Sequence, residues 1–243
     1  MVRVQSPGQG LLRLLQFSGH LASENKPRLQ LSYWENLVKE YFTSKAVMKL
    51  TLWKDNQRNE AKPFDIGVPI LPRFFLITSQ SGVKSMTLSL DGASERHLGQ
   101  GHTVVECVGA VWTYKYNNGY TVTLRGPLTA HVFVVPRTPT PQNAGMPLQQ
   151  QQPFTLKFDG IQFDANLHEK SLMLDSISGQ RLQDPQTPRQ RHPATPNMTG
   201  TPKEDDRKEE SRIYFERGAS IPTEPVNAFG IPQATMRCLE VRR

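Results

Sequence analysis

Residues 103–135 constrain the fold more than any other stretch. TVVECVGAVWTYKY (103–116) alternates strictly, with Val104, Glu106, Val108, Ala110, Trp112 and Tyr114 on one side and Val105, Cys107, Gly109 and Val111 on the other. Asn117-Asn118-Gly119 follows, and YTVTLRG (120–126) returns, continued by LTAHVFVV (128–135) after Gly126-Pro127. Asn and Gly suit the positive φ angles of a tight hairpin turn. Period-two alternation on both sides of such a turn predicts a long antiparallel pair. A pair of that length must bury a face against another layer.

The sequence before it supplies that layer. Leu11, Leu12, Leu14, Leu15 and Phe17 predict a helix over 10–23, weakened at Ser18-Gly19. A second helix opens at Ser32, whose spacing to Glu35 fits a capping box. Trp34, Leu37, Val38, Tyr41 and Phe42 then form one apolar stripe at i, i+3, i+4, i+7 and i+8. VMKLTLW (47–53) and VKSMTLSL (83–90) read as further strands, and FTLKF with IQFDANL (154–167) as a last strand bulged at Asp159-Gly160. The fold class is α+β, with N-terminal helices packed on a curved antiparallel sheet.

Hydrophobic residues make up 37% of the chain and there are 19 prolines, so part of it is expected not to pack. Two segments account for this. The Pro/Gln-rich stretch 136–153 reads as a disordered insertion in a hairpin, and 181–212 as a disordered linker. The expected organisation is therefore a scaffold domain over 1–180, the linker, and a C-terminal segment over 213–243 whose last helix is cut short. No apolar run approaches the roughly 20 residues of a membrane span. Cys107 and Cys238 are far apart and give neither a zinc spacing nor a disulfide framework. Net charge is +7; residues 1–137 hold 16 Lys and Arg against 9 Asp and Glu, scattered singly. A diffuse surplus of this kind does not mark a nucleic-acid groove.

No reacting centre is legible. His20, His97, His102, His131, His168 and His192 lack metal-ligand spacing, although His131 alternates so as to face inward. Asp159 and Asp164 could pair as carboxylates but read as turn formers. No nucleophile, phosphate-loop or zinc-hydrolase motif is present, and no cofactor or metal site is assigned. Thr138, Thr140, Thr187, Thr195 and Thr201 each precede proline in the accessible segments, where proline-directed phosphorylation would add charge. Arg73 stands between Pro72 and Phe74 in GVPILPRFFLIT. The prolines stop a strand there, Phe74 to Ile77 form a short helix, and Arg73 is expected to cap carbonyls or pair with a carboxylate.

YWENLVKEYFTSKAVMKLTLW followed by GVPILPRFF resembles the conserved domain of the LIM-domain-binding protein / Chip / SEUSS family. The matching residues are Trp34, Tyr41, Phe42, Leu50, Leu71, Pro72, Arg73, Phe74 and Phe75. GIPQATMRCLEV is similar to the start of that family's adaptor-binding segment, with Ile231, Met236 and Leu239 as its apolar positions. The resemblance implies a cone-like module similar to the nuclear-transport-factor-2 fold. It also implies a non-enzymatic nuclear co-regulator that forms homodimers or higher homo-oligomers and reaches DNA through partners. The insertions are similar to those of filamentous-fungal members, which implies a LisH-domain transcription regulator as partner and control of adhesion and development. No LIM-interaction segment is read, so LIM partners are not implied. The rival reading is a small-molecule enzyme or binding protein that uses the cone's interior. An interior filled by apolar side chains favours the scaffold, and a wet cavity with converging polar groups favours the enzyme.

Overall fold

In the computed structural model, which describes residues 7–24, 26–56, 59–136, 154–183 and 213–241, the long hairpin is β5 (His102–Tyr116) and β6 (Tyr120–Pro136). Trp112 pairs with Leu124 and Tyr114 with Val122. Each long strand carries two shorter ones on its outer edge. β3 (Val83–Ser89) pairs with the second half of β5 and β4 (Ser94–Gly99) with the first. β7 (Phe154–Ala165) pairs with the second half of β6 and β8 (Leu167–Leu172) with the first. Beyond β7 lie β1 (Phe42–Trp53) and β2 (Ala61–Gly67), giving the order β2-β1-β7-β6-β5-β3.

The expected α+β class is observed, with one correction. β1 runs parallel to β7, Leu50 beside Phe163, so the sheet is mixed. Alternation encodes which face is apolar and is silent on the direction of the neighbouring strand. Three register breaks bend the strands. Val108-Gly109 bulges opposite Pro127, Asp159 is skipped between β7 and β6, and β1 shifts against β7 between Phe42 and Val47. Where β7 turns into β8, Gly126 lies so close that a Cβ there would stand 1.7 Å from the Asp164 carbonyl oxygen.

One face of the sheet is apolar throughout: Met48, Leu50, Phe64, Ile66, Leu88, Trp112, Tyr114, Leu124, Ala130, Ile161 and Phe163 are all buried. α1 (Gln9–Ala22) buries Leu14, Phe17 and Leu21 and packs on β3. The Ser18 hydroxyl fits into the β3 ladder, donating to the Leu88 carbonyl at 3.2 Å and accepting its amide at 2.8 Å. The start of α1 is capped from the sheet: Glu95 on β4 accepts from the amides of Gly8 (3.1 Å) and Leu11 (2.9 Å). A carboxylate there satisfies orphan amides and opposes the positive helix end.

α2 (Leu31–Tyr41) buries the stripe read from the sequence, with Phe42 opening β1. The capping box does not form. The helix starts one residue before Ser32, at Leu31, behind a 3-10 turn over Lys26–Leu29, and no side chain caps it. α3 (Leu71–Gln80) follows β2 and packs on α2. Phe17 gathers Tyr41, Phe42, Phe75 and Phe158 at ring distances of 5.3 to 6.2 Å. This cluster joins all three helices to the sheet.

The chain divides into two compact units: Met1–Met173 with Thr223–Arg243, and Leu174–Pro222. The segment after 223 is therefore not a separate C-terminal element. It belongs to the first unit, where α4 (Gln233–Glu240) packs on α3. In the second unit β9 (Arg181–Gln183) pairs with β10 (Ile213–Phe215), Gln183 opposite Ile213, and Arg181 forms an ion pair with Asp175. In the first unit Pro136 pairs with Phe154. Residues 137–153 and 184–212 thus each leave and re-enter the described structure at paired strand ends.

Candidate functional site

The aromatic and LPRFF residues singled out in the sequence are brought together, but mostly as core. Trp34, Tyr41, Phe42, Leu71, Pro72, Phe74 and Phe75 are all buried. Trp34 stacks on Phe75 at 5.2 Å, and Phe74 meets Phe75 edge-on at the same distance. These side chains hold α2 and α3 together, which removes them from any free surface.

Arg73 is the exception and a correction. It is exposed, and its guanidinium makes no hydrogen bond or ion pair among the described residues. α3 begins at Leu71, so the rotation of about 100° per residue turns Arg73 away from the face that buries Leu71, Phe74 and Phe75. Arg28 is a buried cation that does cap carbonyls. Only 4% exposed, it donates through Nη1 to the carbonyls of Ser23 (2.8 Å) and Lys84 (2.6 Å). Its own carbonyl accepts the Trp34 indole N–H at 2.7 Å, and the guanidinium lies 5.3 Å from that ring. Burial lowers its pKa, opposed by Tyr33 and Glu24.

Ile231, Met236 and Leu239, the apolar positions of the C-terminal segment, are 2%, 2% and 8% exposed and belong to the domain's own core. The segment before α4 runs across the sheet's apolar face. Asp55 donates its amide to the Ala228 carbonyl, and Phe229 is buried beneath Lys62. At Gly230, φ +78°, a Cβ would stand 2.9 Å from both Leu124 and His168, so only glycine passes. α4 is then tied down by the Thr78 and Thr235 hydroxyls, 3.1 Å apart, and by the Lys62–Glu240 ion pair at 2.7 Å.

The interior of the first unit is occupied by side chains. Trp112 stacks with Tyr114 and meets Phe163, and all three are buried. Burial pushes the phenols of Tyr114 and Tyr116 well up, and the Trp112 indole N–H and Tyr116 hydroxyl have no partner among the described residues. Asp159 and Asp164 do not form a pair. Asp159 accepts from the Thr43 hydroxyl at 2.6 Å, and Asp164 from the Trp53 indole at 2.7 Å. His131 is exposed rather than inward, 3.0 Å from His102 on the outer face of the sheet. Among the described residues no group of three or more metal-ligating side chains occurs. No helix among the described residues is long and apolar enough to cross a membrane. Thr138, Thr140, Thr187, Thr195 and Thr201 lie outside the described residues.

What the sequence did not single out is a trough between α3 and α4. It is lined by Ile70, Arg73, Ile77, Ala234, Arg237, Cys238 and Val241. Helical spacing was legible in both segments, but nothing in either segment tells which helix it lies beside.

The family model described as LIM-domain binding protein matches residues 12–243. The chain is 27% identical to adhesion defective protein 1 of Schizosaccharomyces pombe over 96% of its length and 55% of that protein. It is 28% identical to the transcriptional activator ptaB of Aspergillus fumigatus over 53% of its length and 18% of that protein. The chain thus spans about half or less of the curated relatives it matches. Among solved structures, a nuclear transport factor 2-like superfamily protein from Salmonella enterica overlaps 63% of this chain and 90% of its own, at 14% identity and a TM-score of 0.36.

Proposed function

This chain belongs to the LIM-domain binding protein family, and from that premise we propose that it is a non-enzymatic transcriptional co-regulator, a nuclear scaffold that self-associates and recruits a LisH-domain transcription regulator. Family membership across residues 12–243 carries the reading. The named activity of the Aspergillus relative and the adhesion phenotype in the name of the yeast relative support it. The chemistry of the fold is in keeping. The apolar face that a small-molecule enzyme would line with polar groups is packed here with Trp112, Phe163, Phe229 and Ile231. What the molecule offers outward is surface for other proteins, and contact with DNA is made through them.

Light scattering with co-purification tests the proposal. The chain is expected at twice its own mass or more, with a co-expressed LisH-domain regulator eluting alongside it. Tethered to a reporter promoter, it should raise or lower transcription. A monodisperse monomer that leaves the reporter unchanged and turns over a small molecule would overturn the reading.

A further inference from the structure

Ile70, just before α3, lines up with Arg73 and Ile77 along one side of that helix, and Ala234, Arg237 and Cys238 lie along one side of α4, with Val241 just past its end. The hydroxyl contact between Thr78 and Thr235 holds the two helices side by side beneath them. Ile70 and Ile77 are half-buried, and Val241 is 81% exposed. Neither guanidinium has a partner among the described residues, and no carboxylate lines the trough. In the same unit Arg13, Arg96 and Arg125 each pair with a glutamate. An apolar floor flanked by two unmatched cations is left open.

We propose that this trough docks an amphipathic helix of a partner protein whose apolar stripe is flanked by carboxylates. Charge complementarity selects acid over base. The trough walls are helix side chains, with no strand edge to bond an extended peptide. A helix arrives with its backbone already bonded, so it loses nothing there. A second copy is a poor occupant, because a two-fold contact through this surface would bring arginines against arginines. The proposal rests on the partner-recruiting reading and gives it a location.

A phage-displayed library on a helical scaffold, selected on the whole chain and counter-selected on R73E/R237E, tests it. The enriched peptides should carry Asp or Glu beside apolar residues at i, i+3/i+4 and i+7. As synthetic peptides they should bind R73E/R237E at least tenfold more weakly than wild type. Versions with Lys in place of the acids should prefer the variant. R73E/R237E should keep the wild-type thermal midpoint and oligomeric mass, so a loss of peptide alone reports the trough. No enrichment, enrichment without acidic bias, or equal affinity for both proteins overturns the proposal. So does dissociation of the oligomer by saturating peptide, which would make a second copy the occupant. Tighter peptide binding after removal of residues 184–212 overturns it too, since the acidic run at 204–210 would then be the occupant. If wild type neither self-associates nor recruits a regulator yet the charge-swapped pairs still bind, the trough stands and the co-regulator reading falls.

Discussion

The turn before α2 and the start of α3 look opposite in the sequence and exchange places in the fold. Arg28 sits in NKPRLQ, four of whose six residues are polar or charged. Arg73 sits in ILPRFF, which reads as core. Yet Arg28 is sealed between two carbonyls and an indole, and Arg73 projects freely. Angular position on a helix decides the second case. In the first, a 3-10 turn places Arg28 where its long multidonor side chain reaches the carbonyls of Ser23, at the end of α1, and Lys84, on β3. Linear neighbours decide neither.

Four measurements put this contrast to the test. The largest effect belongs to the ring shared by both regions. Phe75, fully buried against Trp34, Phe74 and Phe17, should cost about 3–5 kcal/mol on Phe75→Ala in urea denaturation. A loss below about 1 kcal/mol would mean the two corners are not joined through it. Arg28→Ala should cost about 2–3 kcal/mol, because two buried carbonyls lose a charged donor. Full rescue by Arg28→Lys would show that charge rather than the guanidinium's reach matters.

Histidines show the same contrast on a smaller scale. His168 is buried, and its pKa is lowered by burial first and by Lys170 next, against Asp55. The fold therefore prefers the neutral ring, while the unfolded chain takes up a proton below about pH 6.5. Stability is complete above that pH and declines as pH falls through the window towards the lowered value. The thermal midpoint of His168→Gln should fall less between pH 7 and pH 5 than that of wild type, and an identical fall in both would refute the assignment. His102 is lowered too, chiefly by burial and then by His131, but it stays in contact with water and should contribute less. The smallest effect is at Arg73, where Arg73→Ala should change stability by less than about 0.5 kcal/mol. A cost of several kcal/mol would restore the structural role that the sequence suggested.

Much of the fold was legible because a half-buried element writes its period into the sequence. The stripe of α2, the alternation of β6 and the bulge at Asp159-Gly160 are all found where expected, whereas in β5 the bulge at Val108-Gly109 flips the phase, so that Val105 and Cys107 share the face of Ala110, Trp112 and Tyr114 and Val108 is exposed. Three strands of the large sheet were not read, nor were the three-residue strands β9, which falls inside the stretch read as a linker, and β10. β2 carries Pro63, β4 exposes all but one of its residues, and β8 buries only His168 fully, so each lacks a clean apolar alternation. The parallel pairing of β1 with β7 left no local trace. In the C-terminal segment the apolar positions Ile231, Met236 and Leu239 were found, but amphipathicity does not say whether a helix buries its stripe in its own domain or in another protein. The same limit hid the trough, which exists only because α3 and α4 are neighbours.

The paired ends at Pro136–Phe154 and Gln183–Ile213 have a consequence for lineage. Each clasp sets the entry and exit points of whatever sequence lies between. Closing a loop twice as long costs only about 0.6 kcal/mol more. Descendants of this gene can lengthen or trim those two stretches at little entropic cost to either strand pair.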